Sequence, residues 1–173
     1  MRGGEMSALS LQARDRRAAA WQAAAGVTDP ELPVLTIADL GILNDVEIDE
    51  AGAVRVTILP TYSGCPAMGV IALDVETALT KAGFDQVSVR LSHSPAWSTD
   101  RMSDAARDKL RAYGVAPPAK GAGKRALFGT PDVACPRCGS RETARISEFG
   151  STACKALWRC VACREPFDHF KCI

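Results

Sequence analysis

The sequence predicts an α+β fold: a small three- to four-stranded mixed sheet packed with helices, followed by a separate four-cysteine β domain. Three observations carry this. Short runs of alternating apolar residues recur as "ILNDVEID", "AVRVTIL" and "QVSVRLS", the period of half-buried strands. Two stretches between and after them, "PAMGVIALDVETALTKAGF" and "STDRMSDAARDKLRAYG", place apolar residues at helical spacing. Two CxxC pairs close the chain, Cys135/Cys138 and Cys160/Cys163.

Taken in order, the first element is a helix. Residues 1–26 form an N-terminal segment in which 10–25, "SLQARDRRAAAWQAAA", are strong helix formers ended by Gly26. Leu11, Ala18, Trp21 and Ala25 are expected on its inner face. Asp29 before Pro30 is a cap or turn pair. Ile37, Leu40 and Ile42 read as core. Glu50-Ala51-Gly52 turns the first strand back into the second, where Val54, Val56 and Ile58 point one way. The next helix buries Met68, Ile71, Val75, Ala78, Leu79 and Ala82 and stops at Gly83. Val87, Val89 and Leu91 share one face of the third strand. In the last helix Met102, Ala106, Leu110 and Tyr113 face inward, with Ser98 or Thr99 as cap and Gly114 as stop. Residues 114–134 are rich in glycine and proline and read as a linker. The expected division is therefore 1–26, 27–113, the linker 114–134, and a tail over 135–173.

Composition narrows the function classes. The chain has 173 residues, 47% hydrophobic and 24% charged, with a net charge of +1. So even a balance gives no footing for nucleic acid or for an anionic membrane surface. The longest uncharged run, Val56 to Leu73, is broken by Pro60, Gly64 and Pro66 and is not expected to span a membrane. Arg14, Asp15, Arg16 and Arg17 interrupt any signal-peptide core near the start. Of seven cysteines, four sit in CxxC pairs. Without an export signal this favours metal ligation over disulfides, hence a reducing cytoplasmic setting.

The tail is expected to be a zinc ribbon. Each CxxC makes a tight knuckle that aims two thiolates at one point, and two knuckles supply the four ligands of a closed tetrahedral Zn²⁺ site, Cys135, Cys138, Cys160 and Cys163. Iron could take the same four thiolates. So small a tail lacks the core to fold without such a staple. Cys154 and Cys172 remain over. They are either small buried residues or partners of Cys65 in a second site. His169 reads as a packing or surface histidine rather than a fifth ligand.

Cys65, in "TYSGCPAM", stands alone among the first 130 or so residues. Pro66 suits the first position of the following helix, which puts Cys65 at or near the cap. Unpaired N–H groups there, with the hydroxyls of Thr61 and Ser63, are expected to lower the thiol pKa and favour thiolate, the form that binds metals and attacks electrophiles. The alternative is a cysteine that merely caps the helix. Asp29 and Glu31 are likewise either local cap and first-turn acid or members of a site. The loop "SHSPAWSTDRMS" offers His93, which lacks a visible partner, and Trp97, which reads as a core anchor.

"DPELP", "IADLGIL" and "SGCPA" together resemble the small α+β domain of SufT-like iron–sulfur assembly factors, over roughly residues 10 to 115. The continuation "SPAWSTDRMSDAARDKLRAYGVAPP", the CxxC tail and the ending "EPFDHFKCI" are similar to the D-type component family of the bacterial phenylacetyl-CoA epoxidase system of aerobic phenylacetate degradation. In that system a di-iron component epoxidises the ring, fed by a reductase carrying a flavin and a [2Fe-2S] cluster. The resemblance implies a non-catalytic accessory component that aids maturation or insertion of an iron–sulfur or di-iron centre. The other components, above all the reductase, would be its partners. A homodimer is left open. Cys65, Asp29 and Glu31 match the family's motif positions, which implies that they hold a cluster or transient metal, either [2Fe-2S] or iron; Cys154 and Cys172, spare once the ribbon takes its four, are the candidates to join them. Two other readings stay open: a structural or rubredoxin-like electron-transfer component, and an enzyme with Cys65 as nucleophile, which would need His93 or His169 as base.

Overall fold

The computed structural model describes residues 3–121 and 132–171. The chain runs α1 (Gly3–Ala25), β1 (Leu43–Ile48), β2 (Val54–Ile58), α2 (Ala67–Lys81), β3 (Val87–Leu91), a short 3₁₀ turn (Thr99–Arg101), α3 (Asp104–Tyr113), β4 (Val115–Ala116), β5 (Thr143–Ser147), β6 (Lys155–Cys160) and β7 (Pro166–Phe170). The strands form two sheets, in the orders β1-β2-β3 and β4-β7-β6-β5.

The first sheet is mixed, as the sequence predicts. β1 and β2 are antiparallel, joined through Asp49, whose carboxylate accepts from Ala53 N–H, and through Gly52 at φ +87°. α2 then crosses over, so β3 returns parallel to β2. The second sheet is the antiparallel β5-β6-β7 meander, with β4 added in parallel to β7.

Several sequence expectations hold and several are corrected. Val54, Val56 and Ile58 are buried, as are Met68, Ile71, Val75 and Leu79. On α1 the inner face is instead Ala20 and Ala24, whereas Leu11 (54%) and Trp21 (37%) are exposed and so is Ala18. Small alanines let the helix lie close on the sheet, and Arg17 fixes it there by donating to Val46 O and to the Asp45 carboxylate. The larger residues at the other positions then have nothing to cover them. Ala82, Leu91 and Tyr113 are exposed too: each stands at the end of its element, and β3 is an edge strand. The cap of α3 is Ser103, not Ser98 or Thr99; its hydroxyl accepts from Ala106 N–H at 3.0 Å, and Gly114 at φ +90° closes the helix. The preceding residues are spent in the 3₁₀ turn.

Part of the expected linker is structured. Val115 and Ala116 are buried and pair with Asp168 and His169 on β7. Residues 122–131 lie outside the described residues. Arg107, also buried, donates to the carbonyls of Thr99, Met102 and Pro118 and so ties α3 to the segments on either side.

The two sheets share a core. Cys154 and Phe170 belong to the same buried cluster as Leu40, Ile58, Ile71 and Leu110. Trp97 lies at the junction: its indole N–H donates to Leu40 O at 2.9 Å, and its ring meets Phe170 edge-on at 6.3 Å. A second, smaller core of Val133, Ala156, Trp158 and Phe167 surrounds Cys135 and Cys160. Among the described residues no helix is long and apolar enough to cross a membrane.

Candidate metal centres

The four tail thiols converge. Cys135, Cys138, Cys160 and Cys163 place their sulfurs within 4.8 Å of one another. Cys135 and Cys163 are 3.8 Å apart, Cys138 and Cys160 3.6 Å. A tetrahedral ion with metal–sulfur bonds of about 2.3 Å requires sulfurs about 3.8 Å apart. Two of the sulfur pairs already stand at about that separation, so the donor set suits such an ion. Cys135 N–H donates to Ser140 O and Gly139 N–H to Cys135 O, with Gly139 at φ +77°. The matching residue of the second knuckle is Arg164, at φ +66°. A non-glycine residue held left-handed carries a cost that the surrounding structure must outweigh, which marks the turn as demanded by the site.

The thiols also show why a cation belongs there. The Cys163 backbone N–H donates to the Cys160 sulfur and is the main reason that thiol is pulled down to about 7. For Cys163 the Glu165 backbone N–H acts in the same direction, but desolvation and the sulfurs of Cys160, Cys138 and Cys135 outweigh it and push that thiol up to about 12. One thiolate forms readily and suppresses the next. A metal ion reverses that order, since it binds each thiolate directly.

A second group gathers around Glu31. The loop after α1 is closed by Asp29 N–H to Leu35 O and Ile37 N–H to Val27 O. Inside it Asp29 is buried and its carboxylate accepts from Glu31 and Leu32 N–H, both at 2.8 Å. That is the cap predicted from "DPE", formed without a helix behind it. Cys154, just before β6, is buried; its sulfur lies 3.4 Å from Glu31 Oε2 and 3.0 Å from Thr152 Oγ1. Cys65 is half-buried against the same core, after Gly64 at φ +98°.

The expectation of a thiolate-favouring Cys65 is overturned. Its pKa is raised, first by burial. The Ala67 N–H and the Thr61 hydroxyl pull the other way, while the Glu31 and Asp29 carboxylates push it further up. Pro66, not Cys65, is the cap residue of α2. Burial and two nearby acids thus outweigh the helix terminus and favour the protonated thiol over the thiolate. Cys154 is pushed up to about 11, chiefly by burial.

Tyr62 and Lys155 join this group, and sequence reasoning misses both. Burial raises the Tyr62 pKa, and the proximity of Cys65, Cys154 and Glu31 raises it further. Lys155 donates to Glu31 O at 3.3 Å. Both are sequence neighbours of the expected cysteines, the one available signal. Cys65, Asp29, Glu31 and Cys154 do not form a closed ligand set: among the described residues only the four ribbon thiols bring three or more donors that close. Cys172 lies outside the described residues. His169 is buried, its Nδ1 3.1 Å from Ala116 O, its ring edge-on to Trp158 and its pKa lowered by burial, as a packing histidine. His93 is exposed.

The Asp29 environment makes a prediction. Burial, the largest influence, raises its pKa despite the two N–H donors. A group raised on folding adds stability below its unfolded pKa and loses it as pH rises through the folded value. Asp29→Asn, which keeps the acceptor oxygen, is therefore expected to raise the urea midpoint near neutral pH. The gain should vanish below the carboxylate range. A gain that persists at acid pH would show that the charge is not its source.

Similarity to known proteins falls in two stretches. Residues 17–91 match the iron–sulfur cluster assembly protein family, and residues 119–171 match the PaaD zinc beta ribbon domain. A protein of Escherichia coli (strain K12), provisionally named as the D component of 1,2-phenylacetyl-CoA epoxidase, is 51% identical over 88% of this chain and 91% of its own length. The Fe-S protein maturation auxiliary factor YitW of Bacillus subtilis (strain 168) is 37% identical over 49% of this chain and 82% of its own. Among solved structures, a domain of unknown function (DUF59) from Bacillus anthracis superposes with a TM-score of 0.55 at 30% identity, covering 58% of this chain and 96% of that one. An iron–sulfur assembly domain carrying a four-cysteine ribbon, and alike over most of its length to the Escherichia coli protein, makes this chain a member of the PaaD family of 1,2-phenylacetyl-CoA epoxidase components.

Proposed function

We propose that this chain is an accessory component of a phenylacetyl-CoA epoxidase system in aerobic phenylacetate catabolism, where it aids maturation or insertion of an iron–sulfur or di-iron centre. The observation that carries this reading is the meeting of Cys154 from the ribbon with Glu31 beside Cys65 in the assembly domain. Cys65 is then a transient metal or cluster ligand, with Asp29, Glu31, Cys154 and Cys172 as the other candidates. Either iron or a [2Fe-2S] cluster is the cargo. The raised thiol pKa suits release, since protons compete with the metal for the sulfur. The ribbon binds structural zinc and serves as scaffold and docking surface. The client is the reductase with its flavin and [2Fe-2S] cluster, in the cytoplasm, and no catalytic residue is assigned.

Co-expression of the epoxidase components with Cys65→Ala tests the role. Reductase that is poor in iron and sulfide is the expected result; full cluster loading would reject it. The visible spectrum of the purified chain is an independent check. A colourless zinc protein is expected, and a red four-thiolate iron spectrum would favour the electron-transfer reading instead.

A further inference from the structure

The solvent face of α2 is divided, and its first half is apolar. Pro66, Gly69, Val70 and Leu73 are all exposed, Val70 at 49% and Leu73 at 62%. Their spacing puts them on one side of the helix, over about 10 Å of its length. Further along, the exposed residues turn polar, with Thr77, Thr80 and Lys81. The opposite face lies in the core through Met68, Ile71, Val75 and Leu79. Single exposed apolar residues need no explanation, but a contiguous group bordered by polar ones marks an interaction surface. This one starts next to the half-buried Cys65, where Ser63 and Gly64 are exposed as well.

Gly69 is an independent sign. Glycine weakens a helix relative to alanine. Gly69 is not left-handed, and a Cβ there would meet nothing within 4 Å. Among the described residues, then, nothing in the chain itself calls for glycine at this position. A molecule that packs closely against the helix does. Asp74 borders the stripe; it is exposed and enters no ion pair among the described residues. These features select the occupant. So short a stripe is far from the roughly 800 Å² per partner of a stable interface, and a second copy would bring its own Asp74 to the same small patch. A transient partner with an apolar patch and a basic border meets both conditions. We propose that the face of α2 formed by Pro66, Gly69, Val70 and Leu73 is a docking surface for the client protein, the reductase of the reading above, and that the client presents an apolar patch bordered by Lys or Arg opposite Asp74. Docking there sets the client beside the Cys65 thiol. This surface is additional to the ribbon, and it rests on the reading of Cys65 as a carrier and of the reductase as client.

The test measures binding of the full zinc-loaded chain to the purified reductase by calorimetry, and in parallel the iron and sulfide content of reductase after co-expression. V70Q and L73Q are each expected to weaken binding by about tenfold or more, the effect of losing a central apolar contact. Their thermal midpoints should hold, because both side chains are exposed. G69A should raise the thermal midpoint and yet weaken binding, opposite signs that a merely structural glycine would not produce. D74K should slow association at low salt; faster association would overturn the basic border. C65A should bind like the native chain and load the reductase poorly. Native-like binding by V70Q, L73Q and G69A would overturn the surface and leave the carrier reading standing. Weak binding by those variants with full loading by C65A would remove Cys65 as carrier and leave the surface. No binding by the native chain would overturn the docking proposal together with the reductase as client. A concentration-dependent dimer that L73Q dissociates would overturn it in favour of a second copy.

Discussion

Cys160→Ser is expected to unfold the ribbon and to reduce bound metal to well under one equivalent per chain. Four-thiolate ions contribute about 10–16 kcal/mol to the folding of comparable small domains, more than a core of Val133, Ala156, Trp158 and Phe167 can supply alone. The effect should not stop at the ribbon. Cys160 ends β6 and Lys155 begins it, so loss of the metal also frees Cys154 from Glu31. Elemental analysis and near-ultraviolet circular dichroism of Trp158 read the first effect. Alkylation of Cys154, slow in the native chain because the thiol is buried with a pKa pushed up to about 11, reads the second and should become fast. Retention of a full equivalent of metal with unchanged dichroism would contradict the four-ligand assignment.

Trp97→Ala should be the most damaging change outside the metal site, at about 3–5 kcal/mol for a buried aromatic truncated to alanine. The residue lies at the junction where the two sheets share a core. Its N–H satisfies Leu40 O in the first unit, and its ring packs on Phe170 of β7 in the second. Removal opens a cavity between the sheets and leaves a buried carbonyl unpaired. Trp97→Phe retains most of the contact and is expected to lose about 1–3 kcal/mol, the cost of leaving the buried Leu40 carbonyl without its donor. Urea midpoints of the two variants distinguish the contributions. A loss below about 1 kcal/mol for the alanine variant would show that the sheets do not depend on this junction.

Much of the first sheet was legible because its signals are local. Alternation in "AVRVTIL", the turn at Gly52 and the apolar spacing after Pro66 depend on neighbours within a few residues. The inner face of α1 was not legible, because Leu11 and Trp21 look more like core than alanine does. Only the close approach of the helix to β1, with Arg17 anchored on Val46 O, selects Ala20 and Ala24. The same holds for Val115 and Ala116, which read as linker until β7 is there to pair with them.

The sites divide in the same way. Two CxxC motifs were sufficient by themselves to locate the four thiols that converge in the ribbon, since a knuckle is built from four or five consecutive residues, here closed by Gly139 and Arg164 at positive φ. The lone thiol of "SGCP" could be found in the sequence but its state could not. A helix start argued for thiolate, while burial and the Glu31 and Asp29 carboxylates, decided only by the tertiary fold, favour the protonated form of Cys65. The arrival of Cys154 and Lys155 beside Glu31, more than 120 residues along the chain, was likewise a matter for the tertiary structure. Desolvation and charge act through space and depend on which distant segments pack together, and no spacing along the sequence encodes that distance.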